Sequence, residues 1–272
     1  MIKFCMKKLL FILLSTFIVT PLFAKLNIVV SIQPQLEFLS KIGGDKIETT
    51  LMVLAGDSPH TYEPKPSQMR EISQADLYLT IGVEFEKVWL EKFKNQNSKL
   101  IVKNIAKDIN KTESDPHIWV DPINVKQIAK NIFEILSSLD SKNRDFYKQR
   151  LDNYLKELDN LDQEIKKILK NTPKETKFMV FHPAWSYFAS RYNLTQLAIE
   201  VEGKKPKPRE LISIIKKAKK EQVKAVFTQP EFSDEVAKTI ANSLNIEVIK
   251  TSPLAKDWAD NLKGLALAIA KR

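Results

Sequence analysis

Residues 142–169 read KNRDFYKQRLDNYLKELDNLDQEIKKIL, and this stretch decides how the rest of the chain is organised. Apolar side chains recur along it at helical spacing, at positions 147, 151, 154, 158, 161, 165 and 168 or 169. Neither Gly nor Pro interrupts the pattern. At a rise of about 1.5 Å per residue, it predicts one rigid helix roughly 40 Å long, enough to cross a whole protein.

On both sides of this helix, short apolar segments alternate with helical patterns. The predicted strands are residues 26–32, 49–54, 77–81, 100–102, 178–181, 195–201, 225–228 and 247–250. Four strands precede the long helix and four follow it, and such alternation is typical of parallel sheets flanked by helices. We therefore predict an α/β fold of two lobes, each with a four-stranded parallel sheet, joined by one long rigid helix.

The pattern also predicts the limits of the domains. They are a leader at 1–24, an N-terminal α/β lobe at 25–141, the linking helix at 142–170 and a C-terminal α/β lobe at 171–272. Within the first lobe, Ser67 is expected to cap a short helix, and Pro122 is well placed to begin a longer one.

Residues 1–24 have the features of a secretory signal peptide. Basic residues come first, an apolar run from 9 to 23 follows, and this run is short for a membrane span. Cleavage is expected after Ala24, and the alternative is an uncleaved anchor helix. We therefore predict a periplasmic protein secreted through a cleaved leader.

Cys5 is the single cysteine of the chain, and it lies before the apolar run of the leader. Removal of the leader excludes disulfides, thiolate metal sites and a cysteine nucleophile. No lipid anchor is expected, because no Cys follows the apolar run to carry the lipid.

The formal net charge of +10 raises the question of nucleic-acid or membrane binding. The lysines are spread along the chain and mixed with Glu and Asp. The densest group, Lys216, Lys217, Lys219 and Lys220, is followed at once by Glu221. This pattern is typical of a solvated helix face, so no nucleic-acid partner is expected.

The three histidines are the candidate site residues. They lie in the segments SPHTYEP (His60), DPHIWVDP (His117) and FHPAW (His182), each beside a proline and each where an ordered segment is predicted to end. Taken singly, each has the ordinary interpretation of a loop residue. Taken together, three imidazoles can fill three corners of a tetrahedral zinc site. Their separations of 57 and 65 residues are too long for a zinc finger, so only the tertiary fold could assemble such a site.

The predicted topology favours a shared site. Ligands of open parallel sheets bind outside the carboxyl ends of the strands. His60 follows the end of the second predicted strand, and His182 closes the fifth. A cleft between two such lobes would bring histidines of both halves together.

Three motifs carry a resemblance to a known family. PHTYEP with the following PS, PHIWVDP, and His182 before an aromatic-rich helix resemble the metal-binding proteins of zinc and manganese ABC importers. The resemblance covers nearly the whole chain after the leader. It implies two α/β lobes linked by a long rigid helix, with one divalent metal bound in the cleft between them by His60, His117 and His182.

The resemblance also implies a function. The expected protein is a monomer, is not an enzyme, and delivers Zn2+, one ion per chain, to the membrane permease of an ABC importer. Manganese members of the family tend to carry a carboxylate at the third ligand position, which is His182 in this chain. Imidazole suits zinc and harder oxygen ligands suit manganese. Zinc is therefore the expected cargo, with Mn2+ delivery as the alternative.

The chain departs from the family pattern at two places. Many relatives carry an Asp before the Pro-Leu of the last strand end, where this chain has Ser252 in the sequence TSPL. A neutral Ser is a poor zinc ligand, so the fourth corner is left to water or to a carboxylate from a neighbouring loop. Zinc importers also often carry a His-rich loop before the second ligand, and residues 106–114 contain no His.

Two other classes of function stay open at this point. An open corner on a three-histidine zinc is also what a secreted zinc hydrolase uses, with Glu63 or Glu231 as general acid or base, although no motif places either one. The second class is a secreted adhesion protein that merely shares the fold. The sequence shows no repeats or low-complexity stretches that favour it.

Overall fold

A computed structural model of the chain describes residues 25–110, 115–201 and 203–271. The expected leader, 1–24, and the last four residues of the His-free loop, 111–114, lie outside the described residues. No helix within the described ranges is both long enough and apolar enough to cross a bilayer.

Each half of the chain contains a four-stranded parallel sheet. The first sheet consists of β1 Leu26–Val30, β2 Ile47–Leu51, β3 Leu77–Thr80 and β4 Ile101–Asn104, in the order β2-β1-β3-β4. The second consists of β5 Thr176–Val180, β6 Leu194–Ala198, β7 Ala225–Thr228 and β8 Glu247–Lys250, in the order β6-β5-β7-β8. The two orders are equivalent. In each sheet the second strand of the chain lies on one side of the first strand and the third lies on the other side, so the strand order reverses at the centre of the sheet. At such a reversal the carboxyl ends of the central strands open a crevice for ligands.

Helices flank both sheets. They are α1 Gln33–Gly43, α2 Pro66–Gln74, α3 Glu84–Gln96, α4 Pro122–Leu139, α5 Arg144–Ile168, α6 Ser186–Arg191, α7 Pro208–Lys220, α8 Glu235–Leu244 and α9 Trp258–Ala270. Every residue of the central strands β3 and β7 is buried, which requires cover on both faces of each sheet. The predicted fold class is therefore confirmed.

The long helix α5 has 25 residues, a length of about 37 Å. Its buried apolar side chains are Tyr147, Leu151, Tyr154, Leu158, Leu161 and Ile165, the positions that the sequence pattern predicts. This face packs on α1 and α4 of the first half and on α9 of the second. The helix begins at Arg144 because residues Ser141–Asn143 form a 3-10 turn.

Asp162 is a buried acid on the same face of α5, which the apolar pattern does not include. Arg191 of α6 donates two hydrogen bonds to its carboxylate, from Nε at 3.0 Å and from Nη2 at 2.9 Å. Burial raises the pKa of Asp162, but the hydrogen bonds from Arg191 and Lys166 outweigh it and bring the pKa below its usual value. The bidentate pair fixes the rod to the second half.

Three local features differ from the sequence predictions. Strand β2 begins at Ile47, pairing with Leu26 of β1, because Glu48 and the threonines after it interrupt the apolar pattern without preventing the ladder. Ser67 does not cap α2: the helix begins at Pro66, whose fixed φ suits the first helical position, and the capping residue is Lys65. Helix α3, absent from the sequence interpretation, spans Glu84–Gln96.

The two halves also contact each other directly. Trp119 Nε1 donates a hydrogen bond to the carbonyl oxygen of Pro253 at 2.7 Å, and Trp258 Nε1 donates one to the carbonyl oxygen of Trp119 at 2.9 Å. The rings of Phe38 and Trp258 meet edge to face with centroids 5.2 Å apart. One continuous apolar core extends through both halves. The single connecting helix is therefore supported by an interface.

This architecture predicts only a small movement on metal binding. Helix α5 offers no Gly or Pro hinge, and bending it would also break the buried contacts of both tryptophans. Small-angle scattering with and without zinc should give nearly the same radius of gyration. A change of several ångström on metal addition would contradict a rigid connection.

Candidate metal centre

The three predicted histidines lie together in one pocket between the two halves. His60 is in the loop after β2, His117 precedes the 3-10 turn Ile118–Val120, and His182 comes two residues after the end of β5. The ring centroid of His182 is 5.4 Å from that of His60 and 5.3 Å from that of His117, and both contacts are edge to face. The fold therefore brings His182 into contact with two imidazoles that lie 122 and 65 positions before it in the sequence.

Each imidazole is hydrogen-bonded through Nδ1 to a carboxylate. The distances are 2.7 Å from His60 to Glu84, 2.6 Å from His117 to Asp115, and 2.6 Å from His182 to Glu200. A carboxylate accepts, so each Nδ1 carries the proton and the neutral ring keeps its lone pair on Nε2. This is the arrangement of metal-binding histidines, whose second nitrogen is held by a carboxylate.

The Nε2 atom of His182 is buried and has no hydrogen-bond partner among the described residues. A buried ring nitrogen without a partner costs free energy, which a cation in the pocket would offset. The described residues contain no group of three or more His, Cys, Asp or Glu side chains already arranged as an ion site.

His117 is the most buried of the three rings, with 10% of its side chain exposed, compared with 15% for His182 and 37% for His60. Burial lowers the pKa of His117, an effect only partly opposed by Asp115. Burial raises the pKa of Asp115, but its hydrogen bonds with His117 and Ser186 lower it below the usual value overall. The pair therefore consists of a neutral imidazole and an ionised carboxylate at neutral pH.

The second half of the chain helps to hold Asp115. The hydroxyl of Ser186 in α6 donates to its carboxylate, and the Tyr187 hydroxyl donates to its carbonyl oxygen at 3.1 Å. Asp115 belongs to the first half, so these contacts cross the interface. The orientation of the His117 ring therefore depends on the relative position of the halves.

The carboxylate partners are the part of the site that sequence reasoning missed. Asp115 enters the sequence interpretation only as part of the segment that carries His117. Glu84 is the first residue of the unpredicted helix α3. Glu200 lies two residues after the end of β6, and 6% of its side chain is exposed. An acidic residue near the carboxyl end of a predicted strand is the one local signal that could have drawn attention to Glu200.

The structure also places Ser252, the residue at the fourth corner, and Glu231, one of the two acids considered for a hydrolytic role. The Ser252 hydroxyl donates to Glu231 Oε1 at 2.7 Å and accepts from the Leu254 amide at 3.0 Å. Glu231 lines the pocket with the three histidines. Glu63, the other acid considered for a hydrolytic role, is exposed and is not among the residues that line the pocket.

Comparisons with known proteins identify the family of this chain. Residues 28–271 match the profile of the family described as zinc-uptake complex component A, periplasmic (ZnuA). The chain belongs to this family, whose members are substrate-binding proteins of metal ABC transporters and not enzymes. Family membership sets the zinc-hydrolase alternative aside.

Individual relatives show how far the likeness extends. A crystal structure of ZnuA has a TM-score of 0.88 and 43% identity, covering 91% of this chain and 99% of that one. A zinc-bound ZnuA with residues 138–173 deleted has a TM-score of 0.86 and 43% identity, covering 91% and 97%. The manganese ABC transporter substrate-binding lipoprotein PsaA of Streptococcus pneumoniae is 30% identical over 86% of this chain and 82% of its own length. The chain is thus a metal-binding component of an ABC importer.

The carboxylate partners should contribute to metal affinity according to their burial. Glu200 is 6% exposed and Glu84 is 57% exposed, and solvent screens an exposed charge. Glu200→Gln should weaken metal binding by about 10- to 100-fold, and Glu84→Gln by clearly less. A competition titration of both variants beside Glu91→Gln, a change at an exposed side chain outside the pocket, measures this ranking. Equal affinity of the Glu200 variant and the wild type would contradict it.

Metal affinity should depend steeply on pH. Protons compete with the metal for the imidazole nitrogens, and an ordinary His titrates near about pH 6.5. The lowered pKa of His117 keeps that ring neutral, and open to metal, to more acidic pH than an ordinary imidazole. Affinity measured from about pH 7 to about pH 5 should fall steeply below about pH 6. A flat profile would mean that carboxylates dominate the site.

Proposed function

We propose that this chain is a secreted zinc-binding protein that delivers one Zn2+ per molecule to the membrane permease of an ABC importer. The main support is the set of three imidazoles in one pocket, each with Nδ1 on a carboxylate and a lone pair left on Nε2. Neutral imidazole nitrogen is a favoured zinc ligand, and three such ligands with a fourth position for oxygen complete a tetrahedral site. His60, His117 and His182 are the proposed ligands.

The choice of zinc over manganese rests on the donor atoms. Manganese prefers carboxylate and other hard oxygen ligands, whereas all three proposed ligands here are nitrogens. The zinc-bound structure at 43% identity supports zinc, and the manganese lipoprotein at 30% identity keeps Mn2+ as the alternative cargo. Direct competition between the two ions distinguishes these proposals.

The exposure of the three rings suits a protein that must also release its metal. His117 and His182 are largely enclosed, whereas His60 and its partner Glu84 face solvent. The exposed imidazole is the ligand that can leave the ion first without opening the core. We therefore propose that metal enters and leaves past His60.

The proposed location is the periplasm, reached through a cleaved leader. PsaA is named a lipoprotein, whereas the single cysteine of this sequence, Cys5, precedes the apolar run. We therefore propose that the protein carries no lipid anchor, and we propose it as a monomer. Mass spectrometry of the secreted protein tests the cleavage and the absence of lipid.

The proposed site predicts a stoichiometry of one zinc per chain, because the sequence contains only these three histidines and no cysteine beyond the leader. Changing His60, His117 or His182 to Ala should each weaken zinc binding by at least about 100-fold, or about 2.7 kcal/mol. Zinc should also displace manganese at equal concentration. Isothermal titration with a competing chelator gives the number of zinc ions per chain and the zinc affinity of each variant.

Asn153→Ala, a change on the exposed face of α5, is the matched control and should bind zinc as the wild type does. Circular dichroism confirms that each variant is folded. Two zinc ions per chain, or wild-type affinity in any of the three His variants, would contradict the proposed site. Tighter binding of Mn2+ than of Zn2+ would favour Mn2+ as the cargo.

A further inference from the structure

Glu231 lies in a loop at the carboxyl end of the second sheet. It lies three residues after the end of β7, and His182 lies two residues after the end of β5. Strands β5 and β7 are neighbours at the point where the strand order reverses. Their carboxyl ends therefore open the crevice in which ligands of such sheets bind.

The loop of Glu231 is fixed to His182 on both sides. Gln229 accepts a hydrogen bond from the backbone N–H of His182 at 3.2 Å and donates one to its carbonyl oxygen at 2.9 Å. The ring of Phe232 stacks on the His182 imidazole at 5.0 Å with an interplanar angle of 26°. Glu231 lies between these two residues in the sequence, so its place in the loop is fixed relative to the imidazole.

The two oxygens of Glu231 differ in their surroundings. Oε1 accepts the hydrogen bond from the Ser252 hydroxyl at 2.7 Å. That hydroxyl itself accepts from the Leu254 amide, so its proton is directed at Glu231. Oε2 is shielded from solvent and has no hydrogen-bond partner among the described residues. The Ser252 side chain thus fixes one oxygen and leaves the other without a donor.

A shielded carboxylate oxygen without a donor is costly, and a cation is the partner that best compensates it. Within the part of the chain that the structure describes, the pocket that Glu231 lines also contains the three imidazoles and no Lys or Arg. The unpartnered Nε2 of His182 belongs to the same pocket. One cation bound between the carboxylate oxygen of Glu231 and the imidazole nitrogen of His182 would give both atoms a partner.

We propose that Glu231 is the fourth zinc ligand, bound through Oε2, and that Ser252 is the residue that positions it. This inference rests on the proposed function, because it adds a ligand to the same site. Zinc accepts a Glu oxygen at about 2.0 to 2.2 Å beside three imidazoles. The hydroxyl at position 252 does not bind the metal; it orients the carboxylate that does.

The test uses zinc titrations of Glu231→Gln and Glu231→Ala. Both should weaken zinc binding by at least the loss expected for an outer partner, about 10- to 100-fold. Glu63→Gln is the matched control, since it makes the same chemical change at an exposed acid outside the pocket, and its affinity should equal that of the wild type. Without metal, Glu231→Gln should unfold at the same or a higher temperature, because it removes an uncompensated charge.

The positioning role of Ser252 has a separate readout. Ser252→Ala should weaken zinc binding less than Glu231→Ala, and Ser252→Thr, which keeps the hydroxyl, should restore it. In the Glu231→Gln background, Ser252→Ala should have little further effect, because the two residues act through one contact. Additive losses in the double variant would overturn the positioning role.

A crystal structure with zinc completes the test. It should show three imidazole nitrogens and Glu231 Oε2 around the ion. Wild-type protein that binds one zinc, Glu231 variants that bind equally well, and a water at the fourth corner would overturn this inference and leave the proposed function intact. A wild-type protein that binds no zinc would overturn the proposed function itself.

Discussion

The relative position of the two halves is the constraint on which the metal centre depends. His60 and His117 belong to the first half and His182 to the second, so an error of a few ångström between the halves would separate the rings. Helix α5 sets the distance, and the Asp162–Arg191 pair fixes it to the second half. The tryptophan contacts at Pro253 and Trp119 close the interface on the side of the pocket. The site is therefore a product of the interface.

Electrostatics at the centre follow from that placement. Three carboxylates hold the Nδ1 protons of the imidazoles. In the proposed site their charge would lie one ring away from the ion, where it would compensate a dication without competing for its coordination positions. Glu231 differs from them because its free oxygen has no imidazole proton to accept. The same residue type therefore serves both as outer partner and as candidate ligand, according to what faces it.

Rigidity and release are reconciled by an uneven distribution of burial. The inner rings are attached to strand ends and to a 3-10 turn within the core, where movement would disturb packing. The outer ring, His60, stands on an exposed loop. A rigid frame with one exposed ligand, as proposed here, can bind an ion tightly and still exchange it. Large closure of the lobes is unnecessary for this, which fits a connection made of a single unbroken helix.

The α/β class, the rod between the halves and the three candidate histidines can all be predicted from the sequence, because each depends on a pattern of residues that are close together or rare in the chain. Periodic apolar residues record which face of a helix or strand is buried, and a scarce residue type can be examined completely. The predicted β2 began late, because Glu48 and the threonines after it interrupt the apolar run. Helix α3 was missed although Phe85, Trp89 and Phe93 recur in it at helical spacing.

The partners of the histidines and the contact of Ser252 with Glu231 depend on the tertiary fold. Glu84 and Glu200 lie 24 and 18 residues from their imidazoles, and Trp119 lies 134 residues from Pro253. No periodic pattern links residues at such separations. Which acid meets which imidazole is set by how the strand ends and the two halves pack, since a hydrogen bond requires atoms within about 3 Å.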